Sequence, residues 1–344
     1  MKNISIIALI ALVLLSCKKE QMPKDYVVLH GQITNPIDSL DLRLFNPLSS
    51  KTIMVAVDED GNFRDTLRLE SPAIFTAVYE SIFDLYLKND HDVKTEFNTK
   101  DFNKTLKFSG KGVEENNYLK LKSKRSDELF GKDYKVYLSL SQADFDEKTD
   151  KYIQGLISEL DAKADLIDST FIADQKQGLE TFRTGIAAQR EEQLTINNTL
   201  GKGKPSPQFV DYVNYAGGTN SLSDYKGSYV YIDVWATWCA PCKYEIPFWE
   251  KVEKQYHDKN IKFVSLSIDR QVEEKLWRNM IKDKNLTGIQ LLADKDFDSQ
   301  FITDYYIYGI PRFILIDPDG NIVSYDAPRP SEDRLIELFN TLDI

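Results

Sequence analysis

Two cysteines separated by two residues, Cys239 and Cys242, are the groups in this chain best suited to covalent chemistry. They close the run Tyr229-Val230-Tyr231-Ile232-Asp233-Val234-Trp235-Ala236-Thr237-Trp238-Cys239-Ala240-Pro241-Cys242. The β-branched and aromatic residues from Tyr229 to Trp235 predict a buried strand. Pro241 predicts the first turn of a helix, where a missing N–H has no partner to lose. Both thiols therefore fall at a helix N-terminus, whose free N–H groups and positive dipole end stabilise an anion. A Cys239 thiolate is favoured there over the thiol, and the thiolate is the form that attacks disulfides. The short spacer lets Cys242 displace whatever Cys239 has captured and close a small disulfide.

Two plainer readings compete. A Cys-x-x-Cys pair can be half of a zinc site, but there is no second pair, and His30, His91 and His257 show no ligand spacing. A structural disulfide over so short a loop would restrain little of the unfolded chain. Redox chemistry fits the strand-before, helix-after context best, and neither a metal nor a cofactor is expected.

Trp238-Cys239-Ala240-Pro241-Cys242, with Asp233 six residues before the first cysteine and Gly309-Ile310-Pro311 far downstream, resembles the thioredoxin superfamily. Glu245, three residues after Cys242, and the charged segment before Gly309 are similar to the periplasmic TlpA/ResA-like branch. The resemblance covers Gly201 to Ile344 and leaves the first 200 residues uncovered. It implies that Cys239 and Cys242 are catalytic and that Trp238, Ile310 and Pro311 border the bound substrate. From the residues alone, Pro311 is an ordinary trans-proline at the start of a strand. The resemblance implies instead a cis bond that turns the chain and leaves the Ile310 backbone free to pair with an extended peptide.

Asp233 stands inside an apolar strand, where an ionised carboxylate is expensive unless paired or neutralised. The resemblance places it beneath the disulfide, where burial raises its pKa and lets it exchange a proton with Cys242. Glu245 falls on the cysteine face of the helix by its spacing and is expected to share that role or tune both thiols; the alternative is a surface residue.

The rest of the chain must carry and place this pair. With 344 residues there is length for two or three domains. Acidic residues outnumber basic ones 54 to 43, for a formal charge of −11, which argues against a nucleic-acid partner. Residues 1–17 read as a signal peptide: Lys2, then an apolar stretch from Ile4 to Leu15 of about a dozen residues, too short to span a bilayer comfortably. Its end, Leu14-Leu15-Ser16-Cys17, resembles the lipobox of bacterial lipoproteins, which implies a lipid on Cys17 and a membrane anchor; a chance cysteine in an ordinary signal peptide is the alternative. With Cys17 lipidated, no third thiol remains for an internal relay, so exchange must run between the pair and other molecules.

Residues 18–25 read as a tether. From Tyr26, short apolar runs at Tyr26–Leu29, Leu40–Phe45, Ile53–Val57, Phe63–Leu69, Ile74–Tyr79, Ile82–Leu87 and Leu106–Gly110, punctuated by turn signals such as Asp60-Gly61-Asn62, predict a small all-β domain over 26–112, a sandwich or barrel. It loosely resembles the β domain that precedes thioredoxin-like modules in lipoproteins of the Bacteroidota. Phe75, Tyr79, Phe83 and Tyr86 are expected in its core. Residues 113–200 predict a helical connecting region of two or three helices, with Ile153, Leu156, Ile157 and Leu160 on one face and Phe171, Leu179, Phe182 and Ile186 on another.

Leu200 to Pro207 has the composition of a linker. Residues 201–344 alternate strand and helix patterns, an α/β thioredoxin-like domain with Ser331 expected to cap the last helix. These readings predict a lipid-anchored thiol-disulfide oxidoreductase of the periplasm or cell envelope, more a reductase than an oxidase. The resemblance implies protein disulfides as substrates, as in cytochrome c maturation, and a membrane thiol carrier as electron donor. A thiol peroxidase of the same fold would show threonine three residues before the reactive cysteine and proline seven before; Ala236 and Ile232 stand there instead. The other alternative is an envelope binding protein whose β domain captures a partner.

Overall fold

A computed structural model describes residues 22–344; the expected signal peptide, Cys17 and the first half of the tether lie outside the described residues. The chain divides into two compact units, Met1–Ile186 and Ala187–Ile344, and the division falls inside one helix, Ser169–Leu200. Among the described residues no helix is long and apolar enough to cross a membrane.

In the first unit, strands β1 (Val27–Thr34), β2 (Leu42–Asn46), β3 (Lys51–Val55), β4 (Asn62–Leu67), β5 (Ala73–Tyr79), β6 (Ser81–Leu87), β7 (Asp92–Asn98) and β8 (Lys107–Lys111) form two four-stranded sheets, with a short helix α1 (Phe102–Thr105) between the last two strands. The sheet orders are β4-β1-β7-β8 and β3-β2-β5-β6. One core holds residues of both sheets, among them Leu29, Ile33 and Val93 from the first and Leu44, Phe75 and Leu85 from the second, so the unit is a sandwich. All four aromatics expected in the core are buried; Tyr86 joins the helical cluster described next rather than the sandwich interior.

Strand β7 is absent from the sequence-based expectations, yet it pairs in parallel with β1 and joins it to β8 in the first sheet. Its buried Val93, Thr95 and Phe97 alternate with Asp92, Lys94, Glu96 and Asn98. That is the period-two pattern of a half-buried strand, which a search for continuous apolar runs passes over. The β1–β7 approach also explains Gly31: a Cβ there would lie 1.7 Å from the Thr95 carbonyl oxygen.

Among the described residues four helices follow where two or three are expected: α2 (Val113–Phe130), α3 (Tyr134–Leu138), α4 (Gln142–Ala162) and α5 (Ser169–Leu200). Ile153, Leu156 and Leu160 of α4 are fully buried and pack with Phe171 and Leu179 of α5 and Tyr86 of β6. Asn116 of α2 receives the Tyr86 N–H at 2.8 Å and donates to the Tyr86 carbonyl at 3.0 Å, so a side chain replaces a strand partner on the edge of β6.

The second unit is built on a seven-stranded sheet of order β10-β9-β13-β12-β11-β14-β15. Its strands are β9 (Tyr212–Asn214), β10 (Thr219–Asn220), β11 (Tyr229–Trp235), β12 (Ile261–Ser267), β13 (Ile289–Leu292), β14 (Arg312–Ile316) and β15 (Ile322–Ser324). Helices α6 (Ala240–Gln255), α7 (Glu274–Lys284), α8 (Gln300–Asp304) and α9 (Asp333–Phe339) complete it. β11 lies inside the sheet, parallel to β12 and antiparallel to β14. Cores on both faces explain its almost unbroken apolar character: Val230, Ile232 and Val234 enter one cluster, Tyr231 the other. The linker-like segment is anchored, because Gly203 N–H donates to the Ile322 carbonyl at 2.8 Å and Ser206 N–H to that of Gly320 at 3.0 Å.

Candidate functional site

The turn from β11 into α6 carries both cysteines, and they form a disulfide with Cα atoms 5.3 Å apart. Cys239 is the N-cap of α6, and its sulfur accepts the Cys242 N–H at 3.1 Å. A helix-terminal N–H thus points at Cys239, the placement that favours a thiolate once the bond is reduced. Both residues are buried, at 4% and 2% exposure, so a reactant must come along the rim rather than from an open cleft.

That rim has a distinct composition. Trp238 is 56% exposed and its ring lies 6.4 Å from that of Phe297, in the segment before α8. Ile310 packs against the cluster that contains both cysteines, and the Ile310–Pro311 bond is cis. Pro311 stands immediately before β14, the antiparallel neighbour of β11. Tyr308, on the same loop and 76% exposed, donates its hydroxyl to Glu192 of α5 at 3.0 Å.

The turn is held from beneath by Asp269, which follows β12 and is fully buried. Its carboxylate accepts Thr237 N–H at 3.0 and 3.2 Å, the Thr237 hydroxyl at 2.7 Å and the Ser267 hydroxyl at 2.7 Å. Sequence reasoning misses this residue. An aspartate after a strand reads as a turn former, and only the parallel β11–β12 register brings it under Thr237.

Asp233 and Glu245 both lie inside the protein, 7% and 2% exposed, and the surface reading of Glu245 is therefore incorrect. Asp233 shares the Tyr231 side of β11, and its Oδ1 has no hydrogen-bond partner. Burial holds its carboxyl well above the ordinary range, and the charge of Glu245 pushes it further in the same direction. It lines a narrow cavity of ≈ 10 Å³ with Trp235, Trp249, Glu250 and Gln290. Glu245 instead has two donors: the Ser331 N–H at 3.1 Å and the Ser331 hydroxyl at 2.9 Å. This corrects the expected cap, since Glu332 rather than Ser331 is the N-cap of α9.

The structure thus sets Trp238, Cys239 and Cys242 on one turn, Ile310 against the cluster that holds both cysteines and Pro311 just before β14, with two differently hydrogen-bonded carboxyls inside the same domain. Chemically, the arrangement offers a sulfur that can be ionised, a second sulfur to displace it, and an internal acid to trade protons.

A Redoxin family model matches residues 201–337. A thiol-disulfide oxidoreductase ResA of Bacillus cereus is 31% identical over 133 residues, covering 39% of this chain and 73% of that protein. ResA of Bacillus thuringiensis subsp. konkukian is 28% identical over 148 residues, covering 43% of this chain and 79% of the relative. Among solved structures, the thioredoxin domain of a thiol-disulfide oxidoreductase from Bacteroides vulgatus is 30% identical, covers 42% of this chain and 98% of its own, and has a TM-score of 0.38. The chain therefore belongs to the thioredoxin superfamily, among the TlpA/ResA-like thiol-disulfide oxidoreductases.

Proposed function

We propose that Cys239 and Cys242 are the redox pair of this oxidoreductase and that it reduces protein disulfides in the cell envelope, tethered by a lipid on Cys17. The observation that carries the reading is Cys239 at the N-cap of α6, with the Cys242 N–H directed at its sulfur.

In the reduced enzyme the Cys239 thiolate attacks one sulfur of a substrate disulfide. A bond forms between that sulfur and Cys239, and the other substrate sulfur leaves as a thiolate that takes a proton from water. Cys242 then gives its proton to the carboxylate form of Asp233 and attacks Cys239. The mixed disulfide breaks, the second substrate thiolate departs, and the Cys239–Cys242 bond closes. Two electrons have passed to the substrate. A dithiol carrier in the membrane restores the enzyme: one carrier thiolate attacks Cys239, Cys242 leaves with the proton that Asp233 holds, and the carrier's second thiolate then attacks the carrier sulfur bound to Cys239, which releases the Cys239 thiolate and leaves the carrier as a disulfide. Burial of Asp233 supports this last step, because the oxidised form keeps its carboxyl neutral and able to donate. Trp238, Ile310 and Pro311 supply the surface and free backbone against which an extended peptide lies.

Trapping tests the assignment. With Cys242→Ala, the mixed disulfide has no resolving thiol, so envelope proteins should remain attached to Cys239 and be released by dithiothreitol. Cys239→Ala should capture none. Rapid insulin reduction with slow peroxide consumption supports the reductase; the reverse would assign a peroxidase, and equal capture by both variants would remove the pair from the mechanism.

A further inference from the structure

Strand β6 is an edge of the second sheet of the first unit, paired only with β5. The Tyr86 N–H and C=O point away from β5, where the Asn116 side chain takes both. The register with β5 runs unbroken from Leu87 to Ser81, so the period of two turns the N–H and C=O of Asp84 and Ile82 the same way. Among the described residues no further strand and no other backbone group takes them. Beside them lies a groove of ≈ 930 Å³, within the size range of ligand sites, about 300–1,000 Å³. Phe83, Phe102, Leu106 and Leu119 line it, together with Ile82, which is 68% exposed. An open strand edge beside an apolar groove is the arrangement to which an extended chain adds as a further strand.

The charges around the groove are unequally satisfied. Lys104 pairs with Asp101 at 3.3 Å, Lys124 with Glu128 at 3.8 Å, and Lys120 donates to the Leu106 carbonyl. Asp84 feels the charge of Lys122, but the Lys122 ammonium donates to Gln175 at 2.9 Å. Neither Asp84 nor the Asp127 side chain, both of which line the groove, has an ion pair or hydrogen bond among the described residues. The open charge is therefore negative and calls for a basic occupant. Phe83 and Asp84, as neighbours on a strand, project to opposite faces.

We propose that the β6 edge and its groove bind an extended segment of another protein, one that alternates apolar and basic residues. Its backbone pairs with Ile82 and Asp84, its apolar side chains lie on the Phe83 face, and its basic side chains lie on the Asp84 face. The added strand stops short of Tyr86, where Asn116 already occupies the edge. A second copy of this chain complements the groove less well, because its own β6 edge brings the same carboxylates. The site is separate from the cysteines and does not depend on their redox role.

The test uses the full chain and a fluorescent peptide of about eight residues, an ordinary strand length, alternating valine and lysine. One control peptide has glutamate in place of lysine, and another is the lysine peptide N-methylated throughout. Binding is followed by anisotropy, and hydrogen exchange of the Ile82 and Asp84 amides should slow when the lysine peptide binds. The N-methylated peptide cannot donate to the edge and should bind at least about tenfold more weakly, and the glutamate peptide several-fold more weakly. Asp84→Asn should remove most of the preference for lysine over glutamate. Ile82→Pro deletes an outward N–H without touching the ladder to β5 and should weaken binding of the lysine peptide. Unchanged exchange at Ile82 and Asp84, equal binding of the N-methylated peptide, or equal binding of the lysine and glutamate peptides would overturn the proposal. So would protection of those two amides without peptide in a sample that sediments as a dimer, which would assign the edge to a second copy.

Discussion

The carboxylate of Asp269 accepts both the backbone N–H and the hydroxyl of Thr237, which ties the end of one central strand to the turn that leads into the cysteines. The link is fully buried and spans 32 residues of sequence. It fixes the turn from which Trp238 and Cys239 project.

Asp269→Ala leaves the Thr237 N–H and hydroxyl and the Ser267 hydroxyl without their acceptor inside the protein. The expected loss is about 2–4 kcal/mol, since each buried unsatisfied group costs roughly 1–3 kcal/mol and neighbouring losses do not add fully. Urea unfolding of the second unit measures it, and an unchanged midpoint would deny Asp269 this role.

Asp233 makes stability depend on pH in a way opposite to a salt-bridged carboxylate. Its folded value lies above the ordinary 3.8, so between the two values the folded state holds a proton that the unfolded state has released. Stability is therefore greatest below the ordinary value and declines as pH rises toward the folded midpoint. Asp233→Asn, which resembles the neutral acid, should be more stable than the native protein at pH 7 and equal to it near pH 3. Denaturant titrations at the two pH values check both the sign and the convergence.

Trp238 exposes more than half of its surface beside the disulfide, so Trp238→Ala should leave stability within about 0.5 kcal/mol. Reduction of a protein disulfide should show a several-fold higher KM, while a small aromatic disulfide is reduced at nearly the native rate. Equal losses on both substrates would point to a damaged turn instead of a lost contact surface.

In the first unit, Gly112 adopts φ +93°, and a Cβ there would lie 2.2 Å from His91 Nδ1. Gly112→Ala should therefore destabilise this unit by about 1–3 kcal/mol, from positive-φ strain and the displaced ring. Thermal unfolding should show the loss, with insulin reduction at native rate below the transition.

How much of the fold and the site is legible in the residues depends on the distance over which each feature is specified. Strand β11, the helix start at Cys239 and the close approach of Cys242 follow from neighbours within a few positions, whose side-chain shape and missing N–H groups act locally. The helical faces Ile153–Leu160 and Phe171–Ile186 are equally local, because a period near 3.6 is a property of consecutive residues. Strand β7 is also written in its alternation and is masked there by its charges. What no window of sequence contains is the set of partnerships made across the fold: Asp269 under Thr237, Ser331 committed to Glu245 instead of its own helix, and β7 laid in parallel beside β1. Those depend on strand order and on helix packing, which bring together groups as far as 86 residues apart in the case of Ser331 and Glu245. The reactive pair and the local elements that carry it are thus specified by consecutive residues. Which buried groups support that pair is settled by the folded chain, because a hydrogen bond needs proximity and proximity is a property of the whole fold.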